Sequence, residues 1–401
     1  MDKLAIHGGA PVRDTMLHYG RQSIDEADID NVVKTLRGDF LTQGPTIEAF
    51  ERKVASVAGT KYAVAFTNGT AALHGAMAAA GIGPGDEVIT TSLTFAATSN
   101  SVLYQGGTPV FVDVDPNTFL LDPDLALSAI TPKTKAIVAV DFAGQPVDMA
   151  RFRKLADDHG LLFIQDAAHS LGASYDGQPV GSIADMTMFS FHPVKPVTTG
   201  EGGVIVTDHA EFHERLKQFR THGITRDPQF LEEVDGGGWY YEMQSLGYNY
   251  RMTDLQAALG VSQMDKLDSF LALRKRWVDR YDERLAEFEE QGYILRPYTA
   301  PKARSGWHLY VLRINESKIG VSRRQVFDAL RAENIGVNVH YIPVYWQPYY
   351  RNLGYNKGEC PIAEKLYESF ITLPLYPGMD EQDIDDVVRA LKKIVAYSAL
   401  R

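Results

Sequence analysis

Lys195 and Asp166 are the two residues whose types and settings suggest shared chemistry. Lys195 lies in Phe189-Ser190-Phe191-His192-Pro193-Val194-Lys195, where an apolar run gives way to the hydroxyl- and glycine-rich Pro196-Val197-Thr198-Thr199-Gly200-Glu201-Gly202-Gly203. Asp166 follows a second apolar run, Leu161-Leu162-Phe163-Ile164-Gln165, and precedes Ala167-Ala168-His169. A loop lysine can hold an aldehyde cofactor as a Schiff base, and a strand-end carboxylate can keep a pyridine nitrogen protonated. The pair therefore suits pyridoxal phosphate (PLP) chemistry. Each residue alone has a plainer role, the lysine as a solvated surface group and the aspartate as a cap or turn former.

The neighbouring motifs turn the balance towards the cofactor. Thr67-Asn68-Gly69-Thr70-Ala71-Ala72-Leu73 joins a strand to an alanine-rich helix. Free N–H groups at that helix start, with Gly69 allowing close approach, make a phosphate site, although Gly-Thr is also an ordinary cap. Ser190 is a second phosphate candidate. Phe95 follows another strand and can lie against a pyridine ring, where a core position is the commoner outcome for a phenylalanine. His169 can bond the ring hydroxyl, or a local structural partner. His192 receives no role. Gly81-Ile82-Gly83-Pro84-Gly85-Asp86 follows a helix instead of opening one, so it reads as a helix stop and not as a dinucleotide fingerprint.

These residues need elements to position them. Strands are expected at Tyr62–Phe66, Glu87–Thr91, Pro109–Val114, Ala136–Asp141, Leu161–Gln165, Met186–Phe191 and Val204–Thr207. Helical stretches fall between several of them, at Thr70–Ala80, Thr94–Tyr104 and Met149–His159. The alternation predicts an α/β fold whose mainly parallel seven-stranded sheet is covered on both faces, with ligands bound at the carboxyl ends of the strands. Upstream, Ser23-Ile24-Asp25-Glu26 reads as a capping box for a helix carrying Ile29, Val32, Val33 and Leu36, and Pro45 can open a second helix. A charged helical pattern from Gln263 to Glu290 marks the change to a smaller C-terminal α/β domain. The expected division is 1–260 for the large domain and 261–401 for the small one. Asp235-Gly236-Gly237-Gly238 reads as a mobile loop or an exposed turn.

Composition bounds the function. The 401 residues carry 40 basic and 51 acidic groups, a net charge of −11. That argues against general nucleic-acid binding and requires any anionic ligand to meet locally concentrated positive charge. One cysteine, Cys360, excludes a disulfide within the chain. No Cys/His cluster has zinc spacing, and neither a signal peptide nor a membrane-length apolar run is expected, which makes the cytoplasm the default location.

At this point the chain resembles the DegT/DnrJ/EryC/StrS sugar aminotransferase family over essentially its whole length. The residues that carry the resemblance are Thr67-Asn68-Gly69-Thr70, Gln165-Asp166-Ala167-Ala168-His169-Ser170, Ser190-Phe191-His192-Pro193-Val194-Lys195 and Gly247-Tyr248-Asn249-Tyr250-Arg251-Met252. Within the family, four segments are most similar to the transaminases that make UDP-4-amino-4,6-dideoxy-N-acetyl-β-L-altrosamine in pseudaminic acid biosynthesis. They begin at Tyr19-Gly20-Arg21, Asp39-Phe40-Leu41-Thr42, His222-Gly223-Ile224 and His340-Tyr341-Ile342-Pro343. Transaminases for dTDP- or GDP-linked 4-keto-6-deoxy sugars are the alternative, and a non-catalytic sensor of PLP or a nucleotide sugar is a further one.

The resemblance implies the fold-type I architecture and a set of roles. Lys195 holds PLP, and Asp166 pairs with its ring nitrogen. Gly69, Thr70 and Ser190 hold its phosphate, and Phe95 stacks on the ring, where some relatives use Trp. His169 stands near the ring where several relatives carry Gln. Asn249 reaches the phosphate of a neighbouring subunit, which implies a homodimer. Tyr19, Asp39, Phe40, Leu41, Thr42, His340, Tyr341, Ile342 and Pro343 line the sugar-nucleotide side, and Arg251 either neutralises substrate or forms a structural ion pair. L-glutamate is the implied donor, a UDP-sugar the acceptor and pyridoxamine phosphate the intermediate form of the cofactor.

Overall fold

The computed structural model describes residues 3–233 and 237–398. Of the glycine run at 235–238, Asp235 and Gly236 lie outside the described residues. Seven strands form the central sheet: β1 Tyr62–Phe66, β2 Glu87–Thr91, β3 Thr108–Val112, β4 Thr134–Val140, β5 Leu162–Asp166, β6 Met186–Ser190 and β7 Gly203–Thr207. Their order is β1-β7-β6-β5-β4-β2-β3. Strand β7 runs antiparallel to both β1 and β6, and the other pairings are parallel. Each strand expected from the sequence is present, displaced at its ends by two residues at most.

The central strands are continuous apolar runs because both faces are covered. Ala136, Ile137, Val138 and Ala139 of β4 are fully buried, as are Val204, Ile205 and Val206 of β7. Register then places the chemistry. Val140, Asp166 and Met188 stand side by side at the carboxyl edge of β4, β5 and β6. Gly203 pairs with Phe66 on one side and Ser190 on the other. A Cβ on Gly203 would lie 2.5 Å from the Asn68 carbonyl oxygen, so only glycine lets the turn before the helix Gly69–Ala79 settle over β7. That close approach brings the helix start to Ser190.

A second sheet, β8 Ile294–Leu295, β9 Tyr310–Ile314 and β10 Phe370–Leu373, is antiparallel with β9 in the middle. The expected helical pattern from Gln263 to Glu290 is two helices, Asp254–Met264 and Leu267–Glu290. The packing does not divide at residue 260. Leu267 and Leu271 pack with the large sheet, whereas Trp277, Tyr281 and Leu285 of the same helix pack around β9 and β10. Leu4 and Leu17 join that second core. Glu333 ties the N-terminal segment down, accepting from the Ala5 N–H (2.8 Å), the Val12 N–H (2.9 Å) and Lys393 Nζ (2.9 Å).

One local expectation needs correction. The helix Glu26–Leu36 is capped by Asp25, not Ser23: Asp25 and Asp28 each accept the other's N–H at 3.1 Å. The cap lies two residues later than expected because Asp28 is fully buried against Lys266 and Gln263. The Ser23 carbonyl instead receives the Gln263 amide at 2.9 Å. Ile29 and Leu36 are exposed in the single chain.

Candidate active site

A cavity of about 880 Å³ opens at the carboxyl edge of the sheet. The expected residues Tyr19, Gly69, Thr70, Phe95, Asp166, His169, Ser190, Lys195, His340 and Tyr341 all line it. Sequence positions spread over more than 300 residues thus converge on one space. Asn249, Arg251, Asp39, Phe40, Leu41, Thr42, Ile342 and Pro343 are not among its lining. Asn249 is exposed and pairs with Thr221, and Arg251 is half-buried and pairs with Phe66. Asp39 to Thr42 form an exposed segment, held through the bond from the Asp254 N–H to the Leu41 carbonyl and the Asp254 carboxylate on the Gly44 N–H.

Asp166 ends β5 and is 4% exposed. Its Oδ2 accepts from Thr98 Oγ1 at 2.6 Å and its Oδ1 from the Ala168 N–H at 3.2 Å. Both donors are neutral, so they orient the carboxylate without cancelling its charge. Burial pushes its pKa up, and Thr98, Ala168 and Lys195 oppose that shift. Thr98 has one hydroxyl hydrogen and gives it to Asp166, so its 2.7 Å contact with Thr94 is donated by Thr94. Neither threonine was expected from the sequence. Their one-turn spacing is compatible with many helix starts and points to nothing specific.

Lys195 follows β6 in the turn that begins at His192. Burial pushes its amine down to about 7, with Asp166 opposing the shift and Arg274 adding to it. An amine so placed is substantially neutral near pH 7, the form that attacks a carbonyl. Its amine lies 3.4 Å from Nε2 of His308. His308 had no sequence signal, because it stands 113 positions from the lysine at the entry to β9.

The helix Gly69–Ala79 points its N-terminus at the cavity. Asn68 caps it by accepting from the Ala71 N–H at 2.8 Å, which leaves the first N–H groups without intrahelical partners. A Cβ on Gly69 would meet Ser190 Oγ at 3.5 Å, so the hydroxyl sits against the helix start. Backbone donors, a helix dipole and a hydroxyl together suit a phosphate group. Phe95 is 62% exposed at the mouth of the cavity, its ring 6.3 Å from that of Tyr341. It is therefore not a core residue of the isolated chain.

Three buried histidines complete the wall. His169 Nδ1 accepts from the Ala143 N–H at 3.2 Å, so its hydrogen is on Nε2, which donates to the Tyr341 hydroxyl at 3.2 Å. His340 contacts Thr372 Oγ1 at 2.8 Å and the Asn338 amide at 3.4 Å. Burial holds His169 and His308 neutral, and it pushes His340 down to about 3. A buried acid, an amine, a phosphate cradle and an exposed aromatic ring are the groups that a pyridine aldehyde phosphate requires, so the residues present fit PLP.

The profile of the DegT/DnrJ/EryC1/StrS aminotransferase family matches residues 22–392. The chain is 42% identical over 385 residues to the spore coat polysaccharide biosynthesis protein SpsC of Bacillus subtilis, covering 96% of this chain and 98% of that protein. Among solved structures it is similar to Helicobacter pylori PseC, an aminotransferase involved in the biosynthesis of pseudaminic acid. The TM-score is 0.88 at 30% identity, with 96% and 100% of the chains covered. Spr1654 of Streptococcus pneumoniae, solved in PLP and PMP forms, also superimposes with a TM-score of 0.88 at 33% identity, covering 96% and 99%.

Proposed function

This chain belongs to the DegT/DnrJ/EryC1/StrS aminotransferase family and is a PLP-dependent sugar aminotransferase. From that premise we propose that it moves the amino group of L-glutamate to C4 of a UDP-linked 4-keto-6-deoxy-N-acetylamino sugar in pseudaminic acid biosynthesis. The observation that carries the catalytic reading is the convergence of Lys195, Asp166 and the Gly69 helix start on one cavity. The likeness to PseC supports the choice of sugar.

When bound, PLP supplies an electron sink that lets a carbon next to nitrogen lose its proton. Lys195 binds the cofactor covalently at rest. Its neutral amine would take the proton from the donor carbon and return one on the acceptor side. Asp166 holds the ring nitrogen protonated through its uncompensated carboxylate. The Gly69 and Thr70 N–H groups and Ser190 Oγ hold the phosphate. Phe95 would cover the ring, and His169, whose Nε2–H donates to the Tyr341 hydroxyl, would stand beside it. Tyr19, His340 and Tyr341 line the sugar side.

The active unit in this reading is a homodimer. Lys195 is the one lysine or arginine among the described residues that line the cavity. A phosphate, a nucleoside diphosphate and a dicarboxylic donor need further donors and cations. Asn249, Arg251 and the segment Asp39 to Thr42 lie outside the cavity of their own chain and are offered to a second copy. Exposed Phe40, Leu41, Trp239, Met243 and Leu246 supply apolar area for that contact. The large domain comprises the seven-stranded sheet, and the small domain is built on β8 to β10.

A spectral titration tests the reading. L-glutamate should convert the lysine-bound cofactor band to that of pyridoxamine phosphate, and the UDP-linked 4-keto-6-deoxy-β-L-arabino sugar should restore it. A different nucleotide sugar is the second reading, favoured by the likeness to DesI, solved in the presence of its TDP-sugar product (TM-score 0.88 at 32% identity); restoration by a dTDP- or GDP-sugar alone would select it. No response to any amino donor would leave the sensor alternative. Lys195→Ala should lose turnover and the lysine-bound band while keeping its fold; measurable transamination by that variant would overturn the role of Lys195.

A further inference from the structure

His308 differs from the other buried histidines of the cavity. His169 and His340 each use both ring nitrogens on partners within the chain. His308 is 3% exposed, its Nδ1 has no hydrogen-bond partner among the described residues, and Nε2 faces Lys195 Nζ at 3.4 Å. A buried imidazole kept for structure satisfies its nitrogens, because an unpaired polar group in the interior costs stability. The backbone around His308 holds the ring in place instead. Gly306 N–H donates to the Gly144 carbonyl at 2.8 Å and Leu309 N–H to the Ala143 carbonyl at 3.2 Å. Arg274 Nη1 bonds the Trp307 and His308 carbonyls at 3.2 and 3.3 Å and the Leu375 carbonyl at 3.0 Å. The segment leading into β9 is thus tied on two sides, and it delivers one nitrogen to one amine.

We propose that His308 is a positioning residue for Lys195, its Nε2 accepting a hydrogen bond from the lysine ammonium while Nζ carries the proton it moves between carbons. The inference rests on the reading of Lys195 given above. The proton balance is simple. Nζ gains one proton from the donor carbon, becomes an ammonium with three N–H bonds, directs one of them at His308 Nε2 and keeps another for delivery. His308 itself does not become charged. Its imidazolium would add a third buried cation beside Lys195 and Arg274, and with a hydrogen on Nε2 it could no longer accept from the ammonium. The titratable groups facing the pair are Asp166, Arg274, His169 and His340. Asp166 alone among them offers negative charge, and its carboxylate is engaged by Thr98 and Ala168.

The test follows capture of PLP by cofactor-free protein as a function of pH, using stopped-flow absorbance. Borohydride reduction and peptide mass confirm attachment at Lys195. Capture requires the neutral amine, so the wild-type rate should rise through a midpoint near 7, where burial places Lys195. His308→Phe removes a hydrogen bond to the charged form and should lower that midpoint by about one pH unit. His308→Gln, whose amide oxygen reaches the Nε2 position, should restore it. His308→Asn, polar but too short, should behave like Phe. A midpoint unchanged in Phe and Asn overturns the proposal. If the Phe variant does not fold, the comparison of Gln with Asn decides in the same way. Absence of capture at Lys195 in the wild type overturns the reading of Lys195, and this inference with it; capture without a variant effect overturns the inference alone.

Discussion

Thr98→Val tests whether the hydroxyl behind Asp166 maintains its charge. Valine keeps the shape of threonine, so no cavity forms and the perturbation is the loss of one O–H donor. That donor is 1% exposed and lies 2.6 Å from Asp166 Oδ2. A hydrogen bond to a charged group contributes about 1.5–3 kcal/mol, so its loss raises the pKa of Asp166 further. Burial has already raised that pKa, and Thr98 is the largest opposing influence. The variant should therefore hold the cofactor ring nitrogen less firmly protonated and lose about tenfold or more in single-turnover rate with glutamate. Thr98→Ser should retain most of the rate.

Stability gives the sign independently. Because the native pKa of Asp166 lies above its unfolded value, the native state binds more protons between the two, and stability falls as pH rises through that window. Valine extends the window upwards. Cofactor-free Thr98→Val should match the wild type in this contribution at acid pH and fall behind as pH rises through the native pKa. Denaturant midpoints measured across pH, together with rapid-mixing kinetics, check both halves. Wild-type turnover in Thr98→Val, or a stability deficit independent of pH, would refute the reasoning.

Two further predictions concern how the second core is assembled. Glu333→Ala removes the buried carboxylate shared by Ala5, Val12 and Lys393 and should cost about 3–5 kcal/mol, since the Lys393 ammonium loses its charge partner and keeps the Ala10 carbonyl. The denaturant midpoint and early proteolysis within residues 3–17 would report it; wild-type stability would show that the N-terminal segment adds little. Gly144→Ala places a Cβ 2.6 Å from the Trp307 nitrogen at a backbone φ of +104°. It should cost at least about 1–3 kcal/mol in thermal stability and displace His308, so the pH profile of PLP capture should follow that of His308→Phe. A profile like the wild type's would mean that the contact between Gly144 and the Trp307 segment does not set the position of His308.

Much of the fold was legible because it rests on local patterning. Continuous apolar strands, alanine-rich or amphipathic helices and glycine punctuation are short-range signals, and they located the seven strands of the sheet to within two residues. The capping box expected at Ser23 with Glu26 gives way in the folded chain to a second, Asp25 with Asp28. Burial of Asp28 against Gln263 and Lys266, more than 230 positions away, selects the second. The sequence predicts two domains divided at residue 260, but the passage from one core to the other falls inside a helix, for a similar reason. One helix, Leu267–Glu290, serves both cores along its length, and nothing in its periodicity reports which neighbour each turn meets.

The sequence by itself determined that this is an α/β chain with a strand-end acid, a loop lysine and a glycine-led helix start, because those features depend on residues near one another. It also carried the family, since long motifs survive as text. Only the tertiary structure decided that these groups share one cavity, that Thr98 and the Ala168 N–H orient Asp166, and that His308 faces Lys195. It likewise separated the expected site residues into those that line the cavity of their own chain and those that do not. Such decisions depend on strand register and on the close approaches permitted by Gly203 and Gly144. They are contacts between distant segments, and no local periodicity encodes them.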